Sequence, residues 1–204
     1  MSDILKTYNV SRETIDKLKT YEKLVLEWNN RFNLISKSSV EFIWERHIED
    51  SLQLCQFITT EDEILYDFGS GAGFPAIVIA IVAEELFPNL RVSLVESIGK
   101  KATFLNEVKN VLGLNITVYN DRIEKLKLPK ADIISSRALA SLPKLLEYSK
   151  PFCKPTTRLI FPKGEKWKEE VLEAEKNWKF DYQTKQSLTS STGCIFQIKN
   201  ISRK

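Results

Sequence analysis

Asp67-Phe68-Gly69-Ser70-Gly71-Ala72-Gly73-Phe74-Pro75 is the stretch of this 204-residue chain that decides its architecture. It follows a short apolar run, Ile64 to Phe68, and precedes a helix-like one, Pro75 to Leu86, so it marks a turn from strand to helix. Glycines at alternate positions let the backbone turn tightly and let a ligand approach it. The place is the carboxyl end of a strand, where open α/β sheets bind nucleotides. The spacing separates cofactors. A dinucleotide fingerprint needs GxGxxG, and Phe74 stands at its third glycine position. A P-loop needs Lys-Ser or Lys-Thr after the glycines, and neither follows. A glycine turn without a ligand is the plainer alternative.

Outward from this turn, short apolar runs alternate with helical patterns. Strands are predicted at Ile64–Phe68, Arg91–Val95, Ile116–Tyr119, Asp132–Ser135 and Arg158–Phe161. Helices are predicted at Pro75–Leu86, Lys100–Leu112, Leu142–Lys150 and Glu165–Trp178. That alternation implies a mostly parallel α/β sheet. From Phe180 to Lys199 the chain reads as an antiparallel hairpin turning around Ser190 to Gly193 and closing the sheet. Before the sheet, Ile15, Leu18, Tyr21, Leu24, Val25 and Trp28, then Phe42, Ile43, His47 and Leu54, recur at helical spacing, predicting two or three amphipathic helices that begin after Ser11. The expected organisation is a helical extension, residues 1–60, packed on an α/β core, residues 61–204, as one folded unit.

Composition narrows the function. Hydrophobic residues make up 43% and charged residues 28%, as in ordinary globular proteins. The net charge of +3 is too small to identify a nucleic-acid binder, so any such contact rests on a local patch. Cys55, Cys153 and Cys194 are too few and too scattered for a disulfide framework or a CxxC metal site, and they fit a reducing cytoplasm. Met1 to Val10 lacks a secretory pattern, and the longest apolar stretch, Phe74 to Val82, is far short of the ~20 residues that span a bilayer. A soluble protein without a metal centre is expected.

GxGxG after an acidic residue resembles the first motif of class I S-adenosylmethionine methyltransferases, in which Asp67 would hold the loop or meet the cofactor's amino group. Glu96 ends the next strand 23 residues after Gly73, near the interval at which a carboxylate meets adenosine ribose. Asn120-Asp121-Arg122-Ile123-Glu124 lies where such enzymes contact adenine; a helix start capped by Asp121 is the bland reading. Ser135-Ser136-Arg137-Ala138 ends the fourth strand at the rim where an acceptor would meet the methyl group. The Asn/Asp-Pro-Pro-aromatic signature of amino-methyltransferases does not occur there, and Cys153 lacks the Pro-Cys context of cytosine-C5 chemistry. An acceptor with a lone pair and no proton, such as guanine N7, needs positioning more than a general base.

Asn33-Leu34, Arg46-His47-Ile48-Glu49-Asp50-Ser51-Leu52, the Gly69–Pro75 loop, Glu96 to Lys101 with Phe104-Leu105, Ser136-Arg137-Ala138 and Lys163-Gly164 occur together and in this order. In this the chain resembles the ribosomal RNA small-subunit methyltransferase G family, also called glucose-inhibited division protein B, over roughly residues 29–164. Ala72 and Ala76 depart from it, where proline and glycine are frequent. The resemblance implies a class I fold with an antiparallel C-terminal strand, S-adenosylmethionine as donor, and N7 of a guanosine in the decoding-region loop of 16S rRNA as acceptor. It carries cofactor contacts onto Gly69, Phe74, Ile123, Glu124 and Arg137. With the residues read above, the expected cofactor site is Asp67, Gly69, Gly71, Gly73, Phe74, Glu96, Ile123, Glu124 and Arg137. His47, Asp50, Arg137 and Lys163 are candidates for positioning the acceptor. On a regular helix Arg46 and Asp50, and His47 and Ser51, would pair; a packing network is as good a reading as a functional one. Lys100, Lys101, Lys163, Lys166, Lys168, Arg31 and Arg46 are candidate contacts to 16S rRNA or the small subunit, although lysine runs are commonly solvated faces. Trp28, Trp44, Trp167 and Trp178 suit the core, with Trp167 able to stack on a base. A monomer in the cytoplasm is expected. The rivals are a methyltransferase for a small molecule or a protein, a non-catalytic RNA-binding assembly protein, and a nicotinamide oxidoreductase.

Overall fold

The computed structural model describes residues 7–204; the start of the Met1 to Val10 stretch lies outside them. Helix α1 spans Arg12–Asn29 and starts where Ser11 Oγ accepts from the amide of Thr14 at 3.2 Å. Its apolar stripe, Ile15, Leu18, Tyr21 and Val25, is buried. The rest of the extension is broken into a short α2 (Lys37–Val40), a π-helical turn at Trp44–Glu49, a single turn α3 (Asp50–Leu52) and a 3-10 turn at Gln53–Phe57. The π turn corrects the expected side-chain pairs. Its wider winding takes Arg46 and Asp50 out of i,i+4 register, so Asp50 pairs with Arg137, and Ser51 Oγ donates to the backbone carbonyl of His47 at 2.5 Å.

The core follows as β1 (Ile64–Phe68), α4 (Ala76–Leu86), β2 (Arg91–Val95), α5 (Gly99–Leu112), β3 (Ile116–Tyr119), β4 (Ala131–Ser135), α6 (Leu142–Ser149), β5 (Cys153–Lys163), α7 (Trp167–Glu175), β6 (Trp178–Gln186) and β7 (Cys194–Arg203). The strands form one seven-stranded sheet in the order β3-β2-β1-β4-β5-β7-β6. β1 pairs parallel with β2 and β4, and β7 runs antiparallel to both β5 and β6. The reversal of direction between β1–β2–β3 and β4–β5 opens a crevice at the carboxyl ends of β1 and β4, the expected ligand position in such sheets.

Alternation along β1 divides the core. Leu65 joins the cluster that also contains Tyr21, Ile77 and Leu105, whereas Tyr66 and Phe68 join the opposite one with Leu145, Phe161 and Phe196. Helix α4 is apolar on every side, with Ala76 through Ala83 all buried, because α1 covers the face that the sheet does not. The extension and the α/β part therefore share a single hydrophobic cluster. The expected helix to Trp178 is too long. α7 stops at Glu175, and Trp178, 3% exposed, opens β6 by burying its indole against the second cluster. The fifth strand, expected at Arg158–Phe161, reaches from Cys153 to Lys163 because β7 continues the pairing through Lys163.

Candidate active site

The glycine loop is held from three directions. Gly69 and Ser70 amides donate to the Val95 carbonyl at 2.9 and 3.2 Å, and the Gly71 amide donates to Glu96 Oε2 at 2.8 Å. From the extension, Tyr21 Oη donates to the Ala72 carbonyl at 2.6 Å. Gly71 and Gly73 have φ of 57° and 96°, in the left-handed region that side chains disfavour. They differ in surroundings. A Cβ on Gly73 would lie 2.5 Å from Ile77 Cγ1, whereas one on Gly71 would meet only the Gly69 carbonyl, at 3.8 Å, and project toward the cleft that Gly71 lines.

Beneath the loop, Asp67 is 1% exposed. Its Oδ1 accepts from Ser135 Oγ at 2.6 Å, while its Oδ2 has no partner. Burial pushes the carboxyl up to about 7, against the lowering pull of the Ser135 and Ser70 hydroxyls. Glu96 uses both oxygens on backbone amides, Oε2 on Gly71 and Oε1 on Ile98, each at 2.8 Å. Its first role is thus to shape the loop, and a carboxylate retains lone pairs beyond those two bonds.

Above the loop the extension meets the end of β4. Arg137 donates from Nη1 to Asp50 Oδ2 at 3.2 Å and to the Arg46 carbonyl at 3.1 Å, and it approaches His47 Nδ1 from Nη2 at 2.7 Å. Its guanidinium also lies over the Phe74 ring, 5.3 Å from the centroid, and His47 stacks on that ring at 4.8 Å. A guanidinium has only donors, so His47 Nδ1 accepts and the proton of the neutral ring sits on Nε2. That Nε2 is buried without a partner. Burial, then the charges of Arg137 and Arg46, hold His47 down to about 4, so the ring is neutral at physiological pH.

Two clefts adjoin this cluster. One, of about 690 Å³, is bounded by the glycine loop, Ser36, Ser39, His47 and Lys101. The other, of about 670 Å³, lies toward α7 and is bounded by Lys163, Lys166, Glu169 and Glu170. Asp50, Arg137, Ala138 and Ser190 belong to both. Each has the size of a small-molecule site.

The chain matches the family described as rRNA small subunit methyltransferase G over residues 14–198. It is 42% identical over 196 residues to the ribosomal RNA small subunit methyltransferase G of Cereibacter sphaeroides, covering 96% of this chain and 95% of the relative. It belongs to the rRNA small subunit methyltransferase G family. The relative from Ruegeria pomeroyi, of the same name, is 41% identical over 197 residues, covering 97% of this chain and 96% of its own. Among solved structures, a ribosomal protein L11 methylase from Lactobacillus delbrueckii subsp. bulgaricus superposes with a TM-score of 0.58 at 16% identity, covering 78% of this chain and 79% of that one. That likeness shows the fold, the class I methyltransferase fold, and membership of the family makes the chain a methyltransferase.

As a member of this family, the chain gathers most of the residues singled out in its sequence around one cleft. Gly69, Gly71, Phe74, His47, Asp50 and Arg137 line it, with Gly73, Asp67 and Glu96 shaping it from behind. Ile123 and Glu124 lie apart. Ile123 is buried in the second core cluster, Glu124 pairs with Arg122 at 3.1 Å, and both border a smaller cavity with Tyr148. Lys163 is tied to Glu170 at 2.7 Å and to the Ala140 carbonyl at 3.1 Å in the second cleft. Of the basic residues, Arg46 and Lys101 line the first cleft and Lys166 the second, while Lys100 sits over Phe32 and Lys168 over Trp167. Trp167 packs edge-on against Phe196, and Trp28 packs on Phe104, both serving the core. Sequence reasoning missed Gln53 and the β6–β7 loop. Asp50 Oδ1 accepts from Thr189 Oγ1 at 2.7 Å and Gln53 Nε2 at 2.8 Å, and Gln53 Oε1 accepts from the Leu188 amide at 2.9 Å. The Ser-Thr composition of that loop marks a turn and says nothing of a partner more than 130 residues earlier.

Among the described residues no helix is long and apolar enough to cross a membrane, and no group of three or more His, Cys, Asp or Glu side chains could hold a metal ion.

Proposed function

We propose that this chain transfers the methyl group of S-adenosylmethionine to N7 of a guanosine in 16S rRNA, acting as a cytoplasmic monomer on the small subunit or its RNA. The observation that carries the reading is the shared wall: a cleft floored by the glycine loop meets a second cleft at Arg137 and Ala138, beyond the carboxyl ends of β1 and β4.

The residues of the first cleft fit the donor. Gly71 leaves open the space a Cβ would fill, and the unpartnered Asp67 Oδ2 and the remaining lone pairs of Glu96 suit the cofactor's amino and ribose groups. Gly69, Phe74 and Arg137 complete the contact surface. When bound, the cofactor would supply an electrophilic methyl group on a sulfonium, within reach of a lone pair held at the shared wall.

What the chain does is mainly positioning. N7 carries no proton, so none has to be removed first, and approximation supplies much of the acceleration. Arg137 is fixed by Asp50, His47 and the Arg46 carbonyl, and so holds the rim between the clefts in a single arrangement. Arg46, Lys101 and Lys166, at the cleft margins, suit phosphate contacts that steer the RNA.

The test is transfer from labelled S-adenosylmethionine to small subunits and to 16S rRNA that lack the modification, with nucleoside analysis of the product. Labelled 7-methylguanosine is the expected result. Cofactor binding without any labelled nucleoside overturns the acceptor and directs the search to small molecules and proteins.

A further inference from the structure

The second cleft holds a donor–acceptor pair, Lys163 and Glu170, away from the Arg137 rim. Glu170, in the first turn of α7, accepts from the Leu142 amide and from Lys163 Nζ, each at 2.7 Å, and both bonds fall on the same oxygen, Oε2. Oε1 accepts nothing from the described residues. Lys163 Nζ spends its other bond on the Ala140 carbonyl at 3.1 Å, which leaves one of the three ammonium hydrogens over. Glu170 keeps 28% of its side chain exposed and Lys163 9%, so the pair is held firmly and still reaches the cleft they line.

A fixed carboxylate oxygen next to a fixed ammonium hydrogen complements one purine edge. Guanine presents O6 as an acceptor beside N1–H and N2–H as donors, whereas adenine presents a donor at its sixth position and an acceptor at N1. The pair also occupies the appropriate wall. Arg137 and Ala138 form the side shared with the donor cleft, where N7 must arrive, and Glu170 lines the second cleft but not the first. A guanine whose N7 faces the donor turns its N1 and N2 groups away from it.

We propose that Glu170 Oε1 accepts hydrogen bonds from N1–H and N2–H of the target guanine, with Lys163 donating to O6, so that this pair selects the base. The inference rests on the guanine-N7 reading above. It adds an energetic role to the selection. During transfer the positive charge leaves sulfur and appears on the purine ring, which makes N1–H a stronger donor. The bond to a carboxylate therefore strengthens toward the transition state, and Glu170 aids the reaction as well as recognition.

The experiment replaces the target guanosine by inosine, which lacks only the N2 amino group, in 16S rRNA reconstituted into small subunits. Transfer of label from S-adenosylmethionine is followed for the wild type, Glu170→Ala and Glu170→Gln. The wild type is expected to prefer guanosine to inosine by at least about tenfold in kcat/KM, as for a bond to a charged acceptor. In both variants that ratio should fall to near one. Glu170→Gln keeps a carbonyl oxygen for the Leu142 amide and Lys163, so it guards against a variant that fails only by unfolding. A wild type indifferent to inosine overturns the proposal. So do variants that lose activity on both RNAs equally and keep the wild-type ratio, the outcome of a purely structural salt bridge. Failure of the wild type to form 7-methylguanosine on the guanosine RNA overturns the functional reading itself and is distinguishable from either result.

Discussion

The Tyr21 hydroxyl donates to the Ala72 carbonyl at 2.6 Å, joining helix α1 of the extension to the middle of the glycine loop. Both groups are removed from water, Tyr21 being fully buried. Tyr21→Phe leaves that carbonyl without its donor and keeps the ring on Phe74. The expected loss is about 1–3 kcal/mol of unfolding free energy, read from urea titration, together with several-fold weaker S-adenosylmethionine binding by calorimetry.

Gly71 and Gly73 separate binding from folding. Gly71→Asp carries a charged group into cleft space, so calorimetry should detect no cofactor binding while cooperative unfolding persists. Gly73→Ala forces a methyl to 2.5 Å from Ile77 inside the core, and its midpoint should fall by more than that of Gly71→Asp. Cofactor affinity equal to wild type in Gly71→Asp would remove the proposed donor cleft.

His47 is the chain's single histidine, so its ring signals need no assignment by mutation. Proton NMR should give a titration midpoint near 4, with nitrogen shifts showing the proton on Nε2 at pH 7. Because the folded value lies below the ordinary 6.5, the histidine's contribution to stability is complete above about 6.5 and is lost as pH falls toward 4. A midpoint of 6 or higher contradicts the buried contact with Arg137.

Asp67 works in the opposite sense. Its folded value is raised to about 7, so the stability it allows is complete below about 4 and declines as pH rises through 7. Asp67→Asn keeps an oxygen for Ser135 and carries no titrating charge. Relative to wild type, the variant should gain in thermal midpoint between pH 5 and 8, measured by calorimetric scans. A difference between the two proteins that does not change with pH rejects the raised value.

Asp50 ties Arg137 to the loop between β6 and β7 through Thr189 and Gln53. Asp50→Asn removes the charge facing Arg137 and one acceptor oxygen. Hydrogen exchange at residues 187–190 should quicken, and kcat/KM for RNA should fall about tenfold or more. Unchanged exchange in that loop shows that Thr189 and Gln53 hold it without the carboxylate.

The strands and the glycine turn were legible because each is declared within a few residues: alternating glycines after β1, an acid at the end of β2, an Arg at the end of β4. The side-chain pairs on the extension were not, because local spacing assumed a regular helix and a π turn intervenes at Trp44–Glu49. Trp178 misled for a related reason. Its helical spacing continued α7, while burial against the second cluster placed it in β6. The parts of the site that depend on distant pairing, Gln53 with Leu188 and Asp50 with Thr189, left no mark in either segment taken alone.

The partition of Asp50, Arg137, Ala138 and Ser190 faces both clefts, which limits how such an enzyme can diverge. A change there alters the shape of both clefts at once, whereas a change at Lys163, Lys166 or Glu170 on the outer wall reshapes the second cleft alone. On the proposed reading, a new acceptor is most simply accommodated by varying that wall and keeping the partition intact.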